Sequence, residues 1–167
     1  MLNQISENTD NIMEAMNDIV WSINTKNDKL ENVINRMRAF AIELLEPHNC
    51  KINFIVDDKL NEIKLDAVQR NIFYLLYKEA INNVSKHAAC KNILIELLKL
   101  KSNLLLLKIK DDGKGFDLAP NLLHDKEYSF GGNGIGNIYK RAAELNAKLT
   151  INSSVGNGTE ICLKLPI

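Results

Sequence analysis

Four short groups of residues carry most of the chemical potential of this 167-residue chain. The first is Glu79-Ala80-Ile81-Asn82-Asn83-Val84-Ser85-Lys86-His87, in which Glu79, Asn83, Lys86 and His87 recur at helical spacing and are expected to share one face. They interrupt an otherwise apolar helix with a polar stripe. The second is Asp111-Asp112-Gly113-Lys114-Gly115 at the end of an apolar strand, and the third is Gly132-Asn133-Gly134-Ile135-Gly136 at a helix start. The fourth is Gly158-Thr159, entering the last strand. A glycine-rich loop beside a helix start is a general device for holding phosphate, because backbone N–H groups and the positive end of the helix dipole both face the anion.

The common nucleotide motifs do not fit. Gly113-Lys114 is followed by Gly115 where a Walker A sequence carries Ser or Thr, and all eight glycines lie between Gly113 and Gly158, so none opens such a motif upstream. Gly132-Asn133-Gly134 is followed by Ile135, Gly136 and Asn137, which leaves the third glycine of a dinucleotide fingerprint missing. No G-x-S-x-G elbow marks a serine hydrolase. Each group also has a plain structural meaning. Asn83 and His87 can be packing residues, Asp111-Asp112-Gly113 a chain reversal, and Gly156-Asn157-Gly158 a hairpin turn.

The elements that must position these residues follow from periodicity. Leu2, Thr9, Met16 and Ile23 lie seven apart, as do Ile5, Ile12 and Ile19, forming the a/d stripe of a bundle-type helix. Asn24 to Asp28 break that pattern. Asp28 with Glu31 then predicts a capping box before Leu30, Val33, Ile34, Met37, Ala41 and Leu44, in a helix that ends near Pro47. Ile52, Phe54 and Val56 alternate along a strand over residues 51–56, and Asp66 with Gln69 caps a long helix whose stripe is Val68, Ile72, Leu75, Leu76 and Ala80. Strands at about 92–100 and 104–110 read as a largely buried hairpin around Lys101-Ser102-Asn103. A long loop over 111–134 of the kind that tends to be functional, a helix over 135–145 and strands over 148–153 and 159–165 complete the chain. This grouping predicts an α/β (α+β) two-layer sandwich, a mixed sheet with helices on one face, preceded by a bundle helix.

Composition excludes several functions. Lysine plus arginine and aspartate plus glutamate both total 21, so no broad positive field would draw in nucleic acid. Cys50, Cys90 and Cys162 are far apart with no C-x-x-C pair, which speaks against zinc or disulfide frameworks and fits a reducing cytoplasmic setting. Cys90 and Cys162 read as small core hydrophobes. The longest aliphatic run, Leu104 to Leu107, falls far short of the roughly 20 residues of a membrane helix, so the stretch is expected to be soluble.

In order and separation the four groups closely resemble the N, G1, G2 and G3 boxes of the ATP-binding catalytic domain of sensor histidine kinases, in the superfamily that also holds gyrase, MutL and the large heat-shock chaperone. The resemblance covers about residues 51–167, and the stretch between Phe116 and Gly131 is similar to the short ATP lids of nitrate-sensor-type kinases. It implies a mostly antiparallel sheet of the Bergerat type over residues 47–167, with residues 1–46 as a partial dimerisation helix and a linker helix. It also implies ATP and Mg2+ as ligands, with Asn83 coordinating the metal through its amide oxygen and Glu79 near a metal-bound water as the catalytic pair. Lys86 and His87 would contact phosphates or ribose, and Asp111 would accept the adenine amine. Gly113 and Gly115 would keep side chains away from the purine, and Gly132 and Gly134 would let lid backbone approach the triphosphate. The helix starting near Ile135 would add its amides, and Thr159 of the fourth group would be a further nucleotide contact. The chemistry is consistent, since magnesium takes few protein oxygens and fills its shell with water and phosphate.

A kinase of this type also needs an acceptor imidazole, which in the short-lid subfamily sits in a His-Asp pair on a bundle helix. The one such pair here, His124-Asp125, falls in the lid; His48 follows the helix that ends near Pro47, and His87 belongs to the N box. Asp18 to Asn24, followed by Asn27-Asp28 and Leu30-Glu31, looks like the second dimerisation helix running into its linker. The expectation is therefore a kinase catalytic region whose phosphoacceptor histidine lies outside the chain. Its partners would be a second copy through the N-terminal helix and a response regulator through the full-length protein, with membrane contact only through upstream segments. The competing possibilities are an anti-sigma-type serine kinase or ATPase of the same superfamily, and a non-catalytic nucleotide-binding dimerisation module.

Overall fold

A computed structural model of the chain describes residues 13, 16–21, 23–24, 29–60, 63–101, 103–118 and 134–167. Helix α1 (Leu30–Leu45) passes through a 3-10 turn at Glu46–His48 into β1 (Lys51–Val56). Helix α2 (Ala67–Asn83) continues as one π-helical turn, Val84–Ala88, into the hairpin of β2 (Asn92–Leu100) and β3 (Leu104–Asp111). Helix α3 (Gly134–Glu144), β4 (Lys148–Ser153) and β5 (Thr159–Pro166) follow. The strand order is β1-β2-β3-β5-β4, with β1 parallel to β2 and the other pairs antiparallel, which is the mixed, mostly antiparallel sheet expected.

Alternation along the strands decides what is inside. Ile93, Ile95 and Leu97 of β2, Leu105, Leu107 and Ile109 of β3, and Ile161, Leu163 and Leu165 of β5 join the helices in one core. The other face carries half-buried Leu94, Leu98 and Leu106 and an ion ladder in which Lys108 lies 3.2 Å from Glu96 and 3.9 Å from Glu160. Only one side of the hairpin is therefore fully buried, because a sheet covered on one face leaves the other to water.

The local start signals were obeyed where nothing tertiary competed. Asp66 accepts the Gln69 N–H at 2.8 Å and the Gln69 side chain accepts the Asp66 N–H, the capping box expected for α2. Helix α1 departs from expectation: its N-cap is Lys29, without a side-chain bond, and Asp28 lies outside the described residues. Here the Leu30 N–H donates to the Ile63 carbonyl and Lys29 forms an isolated bridge with Lys64, so backbone from a distant segment serves the helix start. The buried face of α2 is also rotated from the predicted stripe. Val68 is 66% exposed, while Phe73, Leu76, Tyr77, Ala80 and Ile81 face inward together with Arg70, whose guanidinium reaches the Leu65 carbonyl at 3.0 Å. A long aliphatic stem whose head reaches a backbone carbonyl can occupy an inner position that a polarity pattern assigns to the surface.

Residues 16–21 are helical and lie against α1 and α2 through one carboxylate. Asp18, 3% exposed, places Oδ1 2.5 Å from Arg36 and Oδ2 2.8 Å from Lys78. The Arg36 guanidinium in turn lies over the rings of Trp21 and Tyr74 at 4.5 and 4.4 Å, which makes Trp21 a packing residue. Of the expected a/d stripe, Met16, Ile19 and Ile23 are exposed, and Met13 and Val20 beside them are exposed as well. Leu2, Ile5, Thr9 and Ile12 lie outside the described residues.

Removing one member of a buried ion cluster leaves its partners uncompensated. Asp18→Ala is expected to lower unfolding stability by about 3 kcal/mol, read by urea denaturation, whereas Met16→Ala on the outer side should change it by less than about 0.5 kcal/mol. Equal, small effects would mean that Asp18 does not hold the segment in place.

Candidate functional site

A cavity of about 300 Å³ lies between α2 with its π turn, the end of β3, the start of β5 and the first turn of α3. Asn83, His87, Asp111, Gly115, Gly134, Ile135 and Thr159, all singled out in the sequence, line it. Its remaining walls are largely apolar, with Ala80, Val84, Ile109, Phe116 and Ile161 among them. An apolar slot with a few convergent polar groups is the usual form of a small-molecule site. Gly132 and the His124-Asp125 pair lie outside the described residues.

The Glu79 to His87 stripe does not run on one α-helix. The α-helix ends at Asn83, and Val84–Ala88 forms a π turn closed by Ala89 at φ +50°. A wider turn shifts the following side chains around the axis. His87 still lines the cavity, whereas Lys86 is exposed and does not. The turn has an identifiable anchor, since the Ala88 carbonyl accepts the Lys114 N–H at 2.8 Å. That approach needs glycine at 113, where a Cβ would stand 2.3 Å from the Ala88 oxygen.

Asp111 closes β3 with its carboxylate inside, 3% exposed, and Oδ1 accepts the Gly113 N–H at 2.8 Å. Burial pushes its pKa up, opposed by the backbone N–H groups of Gly113 and Thr159. Its neighbour Asp112 does the opposite. Asn92, through its backbone N–H at 2.9 Å and its side-chain amide at 2.6 Å, holds that carboxyl below the usual range, and the Lys91 N–H at 2.8 Å adds to this. One carboxylate of the pair is thus structural, and the other is offered to the cavity.

Two residues here have roles of their own that the sequence reading did not assign. Asp112 is the first, and Ser153 on β4 is the second. Ser153 Oγ donates to the Gly158 carbonyl at 3.0 Å, so it must accept both from the Phe116 N–H and from the Thr159 hydroxyl, each at 3.0 Å. Thr159 then has its own lone pairs left to accept from a ligand. The turn that brings Thr159 there requires Gly158 at φ +69°, because a Cβ would meet the Asp111 carbonyl oxygen at 2.0 Å.

Across the cavity, oxygen donors converge on the start of α3. A Cβ built on Gly134 would lie 2.7 Å from both Asn83 Oδ1 and Glu79 Oε1, and Asn83 Nδ2 is buried without a hydrogen-bond partner among the described residues. Glu79 is steadied from the other side by Arg141 at 3.9 Å. Glu79 borders the cavity at this point without being part of its main lining.

Because folding raises the pKa of Asp111, its contribution to stability is fully present below the ordinary value of 3.8 and is lost as pH rises through the folded value. Asp111→Asn is therefore expected to gain stability relative to the parent chain as pH rises from about 4 through the folded value, measured as the difference in unfolding midpoints. A constant difference across that window would contradict a carboxylate held up by burial.

The profile described as “Histidine kinase-, DNA gyrase B-, and HSP90-like ATPase” matches residues 68–167. An uncharacterised sensor-like histidine kinase of Chloroflexus aurantiacus is 32% identical over 139 residues, covering 83% of this chain and 22% of that protein. DegS of Bacillus subtilis, a signal transduction histidine-protein kinase/phosphatase, is 31% identical over 117 residues, covering 70% of this chain and 29% of its own length. Among solved structures, Acinetobacter baumannii histidine kinase AdeS superposes with a TM-score of 0.70 at 16% identity, over 99% of this chain and 81% of that one, a likeness of fold. The chain thus spans less than a third of these sequence relatives. With the profile covering most of the chain and described residues from each of the four groups lining one cavity, this chain belongs to the histidine kinase-, DNA gyrase B- and HSP90-like ATPase family, and its sequence relatives there are sensor histidine kinases.

Proposed function

We propose that the cavity binds ATP with magnesium and that the chain supplies the γ-phosphoryl group to a histidine imidazole carried by another part of a two-component sensor kinase. The observation that carries this is the buried Asp111 carboxylate in an apolar slot opposite the first turn of α3. Asp111 accepts the exocyclic amine of adenine, Thr159 offers a second acceptor beside it, and Ile109 and Ile161 cover the purine faces. The N–H groups opening α3, at Gly134 and Ile135, meet the polyphosphate with the positive end of the helix dipole. His87 borders the ribose and phosphates. Exposed Lys86 serves as a mobile counter-charge at the mouth, and Gly132 and Gly134 admit lid backbone.

The donor set fits magnesium, whose preference is for hard oxygens, few of them from protein. Asn83 Oδ1 would hold it, Glu79 would orient its water, and the unpaired Asn83 amide nitrogen is ready to face a phosphate oxygen. Held by Asn83 and Glu79, the ion would supply positive charge against the negative charge that builds up during transfer. The residues of the chain position and exclude water, and the nucleophile comes from elsewhere, because transfer needs an imidazole brought in line with the γ-phosphate.

Homodimerisation through the N-terminal helix is supported by the exposed Met13, Met16, Val20 and Ile23. In this assignment residues 1–46 are the dimerisation and linker part and residues 47–167 the ATP-binding part, although α1 shares the core of the latter. A response regulator is the downstream partner, and the setting is cytoplasmic. Among the described residues no helix is long and apolar enough to cross a membrane.

Calorimetry is expected to find magnesium-dependent binding of ATP and ADP that Asn83→Ala weakens more than tenfold. The Asp111 carboxylate faces an amine in adenine but a carbonyl oxygen in guanine, so GTP should bind weaker by roughly 10⁴. GTP competing at ATP-like concentrations would refute the base assignment. Light scattering should show a concentration-dependent dimer, abolished by Met16→Lys with Ile23→Lys; a monomer at all concentrations would remove the dimer proposal while leaving the nucleotide site intact.

A further inference from the structure

Cys50 and Cys90 lie 40 residues apart, and neither lines the cavity, yet the fold places their sulfurs 2.6 Å apart. The cause is the parallel pairing of β1 on β2. Lys51 is in register with Asn92, and the Lys51 N–H donates to the Lys91 carbonyl at 2.8 Å, so the residues just ahead of the two strands are held side by side. Cys50 is fixed from behind by its N–H, which donates to the Leu45 carbonyl. Cys90 follows the π turn that carries His87 and Ala88. Both are free thiols, Cys50 buried at 5% exposure and Cys90 half-buried, so a small reagent meets Cys90 first. Cys162 sits apart, with its sulfur directed to Glu160.

We propose that Cys50 and Cys90 form a modification site, a dithiol that a low-molecular-weight disulfide such as oxidised glutathione converts reversibly into an intramolecular disulfide. A disulfide bond measures about 2.04 Å, so the sulfurs need close by only about half an ångström from 2.6 Å. The Cys90 thiolate attacks one sulfur of the small disulfide, whose S–S bond breaks and releases one small thiolate. The Cys50 thiolate then attacks Cys90 Sγ and expels the second. Two protein S–H bonds and one small S–S bond become one protein S–S bond and two small S–H bonds. The protein is oxidised by two electrons, and the reagent is reduced by two.

The new bond closes a loop that contains β1, α2 and the π turn, and it staples the start of the sheet to the residue that follows the turn. Constraining that much chain in the unfolded state stabilises the folded one. Burial, the thiol–thiol contact and the nearby Asp111 and Asp112 carboxylates push Cys90 up to about 12, and burial raises Cys50 as well. Little thiolate is present at neutral pH, so oxidation is slow and accelerates as pH rises.

The test is to treat the full chain with oxidised glutathione at about pH 8, quench with acid and map the peptides by mass spectrometry. The expected result is loss of two of the three thiols, a Cys50–Cys90 cross-linked peptide carrying no glutathione, and a Tm higher by about 5–10 °C, all reversed by dithiothreitol. Cys162→Ser should behave like the parent. Cys50→Ala should instead retain glutathione on Cys90 and show no rise in Tm, which separates the staple from a general effect of oxidation. Glutathione retained on Cys90 in the parent chain, three thiols surviving the treatment, or cross-links only between chains would each overturn the proposal.

Discussion

A carboxylate at the end of a central strand, shut away from water, sets the terms for the whole site. Burying a charged group without partners costs several kcal/mol, so Asp111 requires amides brought to it. Those come from the loop after β3 and from the first residue of β5, and the chain must approach itself closely to deliver them. Gly113 passes under the Ala88 carbonyl, and Gly158 passes over the Asp111 carbonyl, at distances no side chain permits. The Lys114 N–H then binds Ala88 and gives the π turn a fixed end. The positions of His87 and Thr159 are consequences of satisfying one acid.

Helix α2 joins this site to the N-terminal segment. Consecutive residues on a helix point about 100° apart, and here Lys78 turns to Asp18 while Glu79 turns to the start of α3. Tyr77 adds a bond from its hydroxyl to the Met37 carbonyl, which fixes α2 against α1. A single turn of helix therefore touches the N-terminal segment, α1 and the mouth of the cavity.

What the sequence made legible was local or periodic. The Asp66 capping box, the hairpin at Lys101–Asn103 and the alternation of β2, β3 and β5 all depend on neighbours within a few residues, and they stand as read. The four boxes were legible because each is a contiguous run of unusual residues. The rest depended on partners far along the chain. Lys29 starts α1 because Ile63 and Lys64 arrive from thirty residues away. Lys86 leaves the cavity because Lys114 draws the helix end into a π turn, and the serine among Ser85, Ser102, Ser129, Ser153 and Ser154 that matters is chosen by which one meets Gly158. Cys50 and Cys90 look unrelated until β1 pairs with β2.

The empty-handed groups of the site also explain why its geometry and its stability pull apart. Asp111 has a pKa raised by burial, and Asn83 Nδ2 is buried without a described partner. Neither condition helps the chain to fold, since an apolar side chain of similar size would avoid both costs. A ligand that presents an amine to Asp111 and an oxygen to Asn83 relieves both at once, and only in the folded state. Binding energy of that kind appears as stabilisation of the fold in proportion to ligand excess. The domain thus holds back part of the stability its core could provide and recovers it when the cavity is filled. Discrimination follows from the same cause, because a ligand lacking either group leaves a buried polar atom unpaired rather than merely forgoing a contact.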